Sequence, residues 1–114
     1  MGKERRLNER VEPEPAAPIS VQIMGADFIE RVHVIDISVG GLGIRVPHEF
    51  IGYNVTDRVE IVLKLPGQAP FMADGFIRHF NGASRKVFGV EFVRLPEQGR
   101  EKIAAYVNLR LGRR

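Results

Sequence analysis

Between residues 19 and 93 the chain is cut into short apolar runs by turn-forming residues, and this punctuation limits its fold more than any other feature. The runs are 19–24, 28–37, 42–46, 58–65, 71–80 and 86–93. In 58–65, Val59, Ile61, Leu63 and Leu65 alternate with Arg58, Glu60 and Lys64. Side chains alternate across a strand with period two, so one face is apolar and the other wet. Breaks fall at Gly25-Ala26-Asp27, Pro47, Pro66-Gly67 and Asn81-Gly82-Ala83-Ser84, the last reading as a hairpin turn. Residues 48–57, with Gly52 and Asn54, read as a longer connection. Short strands at this spacing predict a sandwich or a closed barrel, and closure leaves no free edge. In 28–37 the alternation is imperfect: Val32, Val34 and Asp36 would share one face, and His33, Ile35 and Ile37 the other. A bulge or a buried strand end would account for it.

The period then changes. Pro96 and Glu97 open a helix expected over 96–111, as proline and an acid in the first turn both favour. Ile103, Tyr106, Val107 and Leu111 form its apolar stripe, and Gly112 stops it. The expected division is an arm and Pro-rich connector over 1–18, and a barrel with its C-terminal helix over 19–114. The arm is polar and too short to persist as an isolated helix, so a flexible segment is expected. Its connector, Glu12-Pro13-Glu14-Pro15-Ala16-Ala17-Pro18, favours an extended polyproline conformation.

At 114 residues the chain is one domain. It has no cysteine, which excludes disulfides and thiolate metal sites. No apolar run approaches the ~18 residues of a membrane span, and the N-terminus lacks the apolar segment of a signal peptide. A cytoplasmic location is expected. The net charge of +3 is unevenly spread: +2 over 1–11, −3 over 12–93 and +4 over 94–114. Basic ends on a mildly acidic body suit an anionic partner, or serve as solvated tails.

One eight-residue stretch concentrates polar chemistry: Asp36-Ile37-Ser38-Val39-Gly40-Gly41-Leu42-Gly43. Asp36 and Ser38, two apart on a strand, share a face. The glycines allow positive φ and a close backbone approach to a bound group. Asp36 and Ser38 can also simply cap a turn. No lysine follows the glycines, so this is not a nucleoside triphosphate cradle. Ser38 lacks the strand-to-helix setting of a nucleophile. His33, His48 and His79 have no ligand partners at metal-binding spacing, so no metal or cofactor is expected. No acid–base or nucleophile pair emerges, and an enzyme is not expected.

Arg6-Leu7-Asn8-Glu9-Arg10 reads R-x-x-x-R, and Asp36 to Gly41 reads D-x-S-x-x-G. With the β pattern between and after them, Gly75-Phe76-Ile77-Arg78, Gly89-Val90-Glu91-Phe92 and a closing helix, the chain resembles the PilZ domain family over nearly its whole length. The resemblance implies a six-stranded antiparallel β-barrel with a C-terminal helix, and binding of cyclic di-GMP, a bacterial signalling dinucleotide. It implies roles for Arg6, Arg10, Asp36, Ser38 and Gly41, with Arg5 and Gly40 beside them. Arg78 falls where the family often has an arginine. Arginine's planar fork can pair with phosphate oxygens or with guanine O6 and N7, and Asp36 can accept from the guanine N1–H and amino group. The function implied is a receptor whose arm changes on binding and is read by a protein partner. The alternatives are an adaptor of the same fold that ignores nucleotide and a small nucleic-acid-binding barrel. The second is disfavoured because the Phe and Tyr residues fall mostly at core-facing positions, leaving no stacking surface.

Overall fold

The structure is a computed structural model that describes residues 9–25, 28–47, 57–81 and 86–113, with the backbone alone at 79–81. The turn at Ala26-Asp27, most of the 48–57 connection and the hairpin turn after Asn81 lie outside the described residues. Six strands form: β1 (Ser20–Met24), β2 (Ile29–Ser38), β3 (Gly41–Arg45), β4 (Arg58–Lys64), β5 (Phe71–Asn81) and β6 (Val87–Arg94), followed by helix α1 (Glu97–Arg110). They close into a barrel in the order β1-β2-β3-β6-β5-β4, and every pairing is antiparallel.

The inward residues are mostly branched aliphatics. Val21, Ile23, Val34, Leu42, Ile44, Val59, Ile61, Leu63 and Ile77 are all buried. A six-stranded barrel encloses a narrow space, which such side chains fill without voids. This corrects the expected placement of the aromatics. Of those described, Phe88 alone is fully buried, while Phe28, Phe71, Phe92 and Tyr106 pack partly buried against the core margin.

The faulty alternation in β2 is resolved by a bulge. Val34 pairs with Ile44 but Asp36 pairs with Gly43, leaving Ile35 as the extra residue. The inserted residue reverses the facing of every residue after it in the strand. Ile37 therefore turns inward after Val32 and Val34, and Asp36 turns out. A second bulge falls in β5, where Ile77 pairs with Val90 and His79 with Gly89, so that Arg78 is the extra residue.

Positive φ occurs, among the described glycines, at Gly67 and Gly112, so the glycines of the 36–43 stretch do not use it. Gly67 follows Pro66 in a type II turn closed by Gln68 N–H donating to Leu65 O at 3.1 Å. Gly41 serves close approach instead: a Cβ there would stand 2.2 Å from Val90 O on β6.

Helix α1 buries Gly99, Ile103 and Val107. Gly99 lets the Phe71 ring lie against the helix, since a Cβ would come within 2.6 Å of it. Pro96 is the N-cap. Leu111, expected in the stripe, is the exposed C-cap. Gly112 N–H bonds to Leu109 O at 3.0 Å and Arg113 N–H to Asn108 O at 2.7 Å, a Schellman ending. The connector is not continuously extended. Ala17 N–H donates to Glu14 O at 3.0 Å, closing a turn with Pro15 at its second position, where a fixed φ favours turning.

Truncating Ile103 to Ala should cost about 2–5 kcal/mol in urea unfolding, because the site is closed on all sides. Leu109→Ala, on the exposed face of the same helix, should stay within about 0.5 kcal/mol. Gly41→Ala must spread β3 from β6 and should cost about 1–3 kcal/mol in the same measurement.

Candidate functional site

The arm meets the barrel at Val11. Its N–H donates to Ile37 O at 3.0 Å and its carbonyl accepts from Ile37 N–H at 2.9 Å, adding a single bridge to β2 beyond the end of β1. Val11 is buried in the core. A neighbour in extended chain faces the opposite way, so Arg10 lies outside. Its Nη1 donates to Asp36 Oδ1 at 2.7 Å. The helix terminus holds the same segment from the other side. Arg110 Nε donates to Glu12 O at 2.9 Å, and Arg113 Nη2 to Glu9 Oε1 at 2.8 Å. From Glu9 to Glu12 the arm thus touches both the barrel and the helix terminus, while residues 1–8 lie outside the described residues.

Ser38 ends β2 and is almost fully buried. Its Oγ accepts from Gly40 N–H at 3.0 Å, which shapes the turn into β3. The hydroxyl proton remains available as a donor. Gly40 O in turn accepts from Phe92 N–H at 2.9 Å, tying this turn to β6. On the far side, the β5 bulge re-aims Arg78, whose Nε stands 3.0 Å from Glu91 Oε1.

Two adjoining recesses result. Arg10, Ser38, Gly40, Arg78, Gly89, Val90 and Glu91 line the first, of about 350 Å³. The second, of about 210 Å³, is lined by Arg10, Ile35, Asp36, Leu42, Gly43, Val87, Phe88 and Gly89. Arg10 and Gly89 belong to both. Gly43 makes room for Asp36: a Cβ there would stand 2.7 Å from Oδ1.

Both ion pairs are substantially exposed, at 47% and 32% for Arg10–Asp36 and 52% and 56% for Arg78–Glu91. Pairs of this kind contribute about 0–1 kcal/mol, so either can be given up to a better partner. The site presents fixed guanidinium donors, two carboxylates, a hydroxyl and open backbone. That set suits a planar polar ligand carrying both donors and acceptors, and phosphate oxygens. Among the described residues no His, Asp or Glu group could hold a metal ion.

Of the residues singled out in the sequence, Arg10, Asp36, Ser38, Gly40 and Arg78 meet at this one face. Arg5 and Arg6 lie outside the described residues. Gly41 lines neither recess and instead sets the β3–β6 spacing. Glu91 and Gly89 carry no sequence expectation as site residues, and Gly43 enters only as one glycine of the 36–43 stretch. In the sequence Glu91 is part of the Gly89-Val90-Glu91-Phe92 resemblance and an acid opposite the apolar face of its strand, with no role assigned.

Solved structures share this architecture. The Bacillus subtilis inhibitor of motility MotI/DgrA superposes with TM-score 0.76 at 17% identity, over 96% of this chain and 53% of that one. The PilZ domain of YcgR from Escherichia coli, solved with c-di-GMP, gives 0.74 at 15% identity over 95% and 92%. The K. pneumonia MrkH–c-di-GMP complex gives 0.74 at 12% identity over 92% and 52%. The chain thus spans about half the length of MotI and MrkH. No curated protein matches it in sequence. The model of the PilZ domain matches residues 4–109. With the barrel and its closing helix in place over that span, the chain belongs to the PilZ domain family.

Proposed function

We propose that this chain is a receptor for cyclic di-GMP, working in the cytoplasm with no chemistry of its own. The observation that carries the reading is the meeting of Arg10 with Asp36, beside Ser38, Gly40 and Arg78, on one open face. Members of the family with this fold, YcgR and MrkH, are seen with the same dinucleotide.

The chemistry is complementary. The ligand has two phosphates and two guanines. Arginine offers several coplanar donors to phosphate oxygens or to guanine O6 and N7, and can stack on a purine. Asp36 accepts from N1–H and the amino group. Adenine leaves that carboxylate without its donors, which rejects it. Arg5 and Arg6 are proposed to add charge from the preceding arm, with Arg6 joining Arg10 at the ligand. Ser38 donates its hydroxyl beside the ligand, while Gly40 lets the backbone come close.

Binding must draw Arg10 off Asp36 or make it share, and Arg10 is one residue from the Val11 bridge. The arm and the helix terminus that clasps it would then change together. That altered surface is proposed as what a protein partner reads.

Calorimetric titration with cyclic di-GMP tests the receptor directly. Arg10→Ala and Asp36→Ala should each weaken binding by about tenfold to a hundredfold, the worth of hydrogen bonds to charged groups. Full wild-type affinity in both variants would remove this face from the site. In an NMR titration the Val11 and Ile37 amides should shift in step with those of Ser38 and Gly40. Static Val11 and Ile37 resonances at saturation would count against the arm as the moving part.

A further inference from the structure

We infer that Glu91, held by Arg78, is a second guanine-reading carboxylate, and that the two recesses flanking Arg10 seat the two bases of one cyclic dinucleotide. This rests on the receptor reading and adds which groups choose each base.

The argument starts from the edge of guanine. O6 and N7 accept, and next to them N1–H and the 2-amino group donate. A guanidinium beside a carboxylate presents the matching sequence of donors and acceptors. The structure holds two such pairs, one in each recess: Arg10 with Asp36, and Arg78 with Glu91. In each pair the contact uses a single carboxylate oxygen. Arg78 engages through Nε, which leaves its two terminal amino groups, and Glu91 Oε2, without a partner among the described residues. Among the described residues, the first recess thus offers both donors and an acceptor side by side.

The backbone explains why this pair is available. The bulge at Arg78 takes it out of the plain alternation of β5. Glu91 pairs in register with Gly41, which in turn pairs with Ser38. Because Gly41 has no side chain, nothing on β3 covers the Glu91 carboxylate from that side. Arg10 and Gly89 line both recesses, so the two seats abut across them. A cyclic dinucleotide has its bases on either side of a shared phosphate ring. Arg10, standing between the seats, is placed for that ring or for either base.

A role confined to the fold would look different. An exposed ion pair contributes little to stability. If Glu91 only steadied Arg78, replacing it would leave the choice between guanine and adenine unchanged.

The test compares cyclic di-GMP with the mixed guanine–adenine cyclic dinucleotide by calorimetric titration, on the wild-type chain and Glu91→Gln. The wild type should bind one cyclic di-GMP per chain and prefer it to the mixed ligand by about tenfold or more, since one base then leaves a carboxylate unpaired. In Glu91→Gln the preference should fall below about threefold, because an amide can face either purine edge with a donor or an acceptor. A wild-type preference retained by Glu91→Gln, equal binding of both ligands by the wild type, or more than one ligand per chain at saturation overturns the two-seat assignment and leaves the receptor reading standing. Failure of the wild type to bind either ligand overturns both.

Discussion

The extra residue at Ile35 is the constraint on which the rest of this site depends. A strand in strict alternation cannot send Val32, Val34 and Ile37 to the core, because the last is out of phase with the first two. The bulge shifts the phase once. Before it, β2 builds the barrel. After it, Ile37 still seals the interior while Asp36 faces the arm and Ser38 shapes the next turn. Gly43, opposite Asp36, leaves the carboxylate its space. The same device recurs at Arg78 on β5, across the face from Asp36. Two local failures of regular pairing, at Ile35 and at Arg78, thus aim the polar groups.

Strong and weak interactions are divided between two jobs. The arm is located by backbone bonds and by the burial of Val11, which are costly to lose. The polar groups beside it are held by exposed ion pairs, which cost little to exchange. The two ion pairs hold the cations and carboxylates side by side in accessible positions.

Much of this was legible in the sequence, for identifiable reasons. In the run from Val59 to Leu65, Val59, Ile61, Leu63 and Leu65 keep period two and are all buried. Asp36, Ser38, Gly40 and Arg10 could be named because their chemistry is concentrated and their order distinctive. The bulges could not be placed, because an extra residue is defined only against the partner strand. The aromatics were misplaced because hydrophobicity alone does not report how wide the barrel interior is. Leu111 fits a helical stripe by spacing, yet the chain has already turned into its cap by then. Gly99 carries no apolar side chain and so left no periodic trace, though it seats Phe71. Glu91 looked like any solvated acid until the Arg78 bulge set a guanidinium beside it.

The Val11 bridge also works as a phase marker for the segment before it. Arg10 faces outward only because Val11 faces inward. Inserting a single residue between Arg10 and Val11 would carry the guanidinium toward the apolar interior, which the barrel cannot accept. Changes farther upstream leave that phase untouched. The step from Arg10 to Val11 therefore tolerates no single-residue insertion, because the bridge fixes which way each of the two side chains faces.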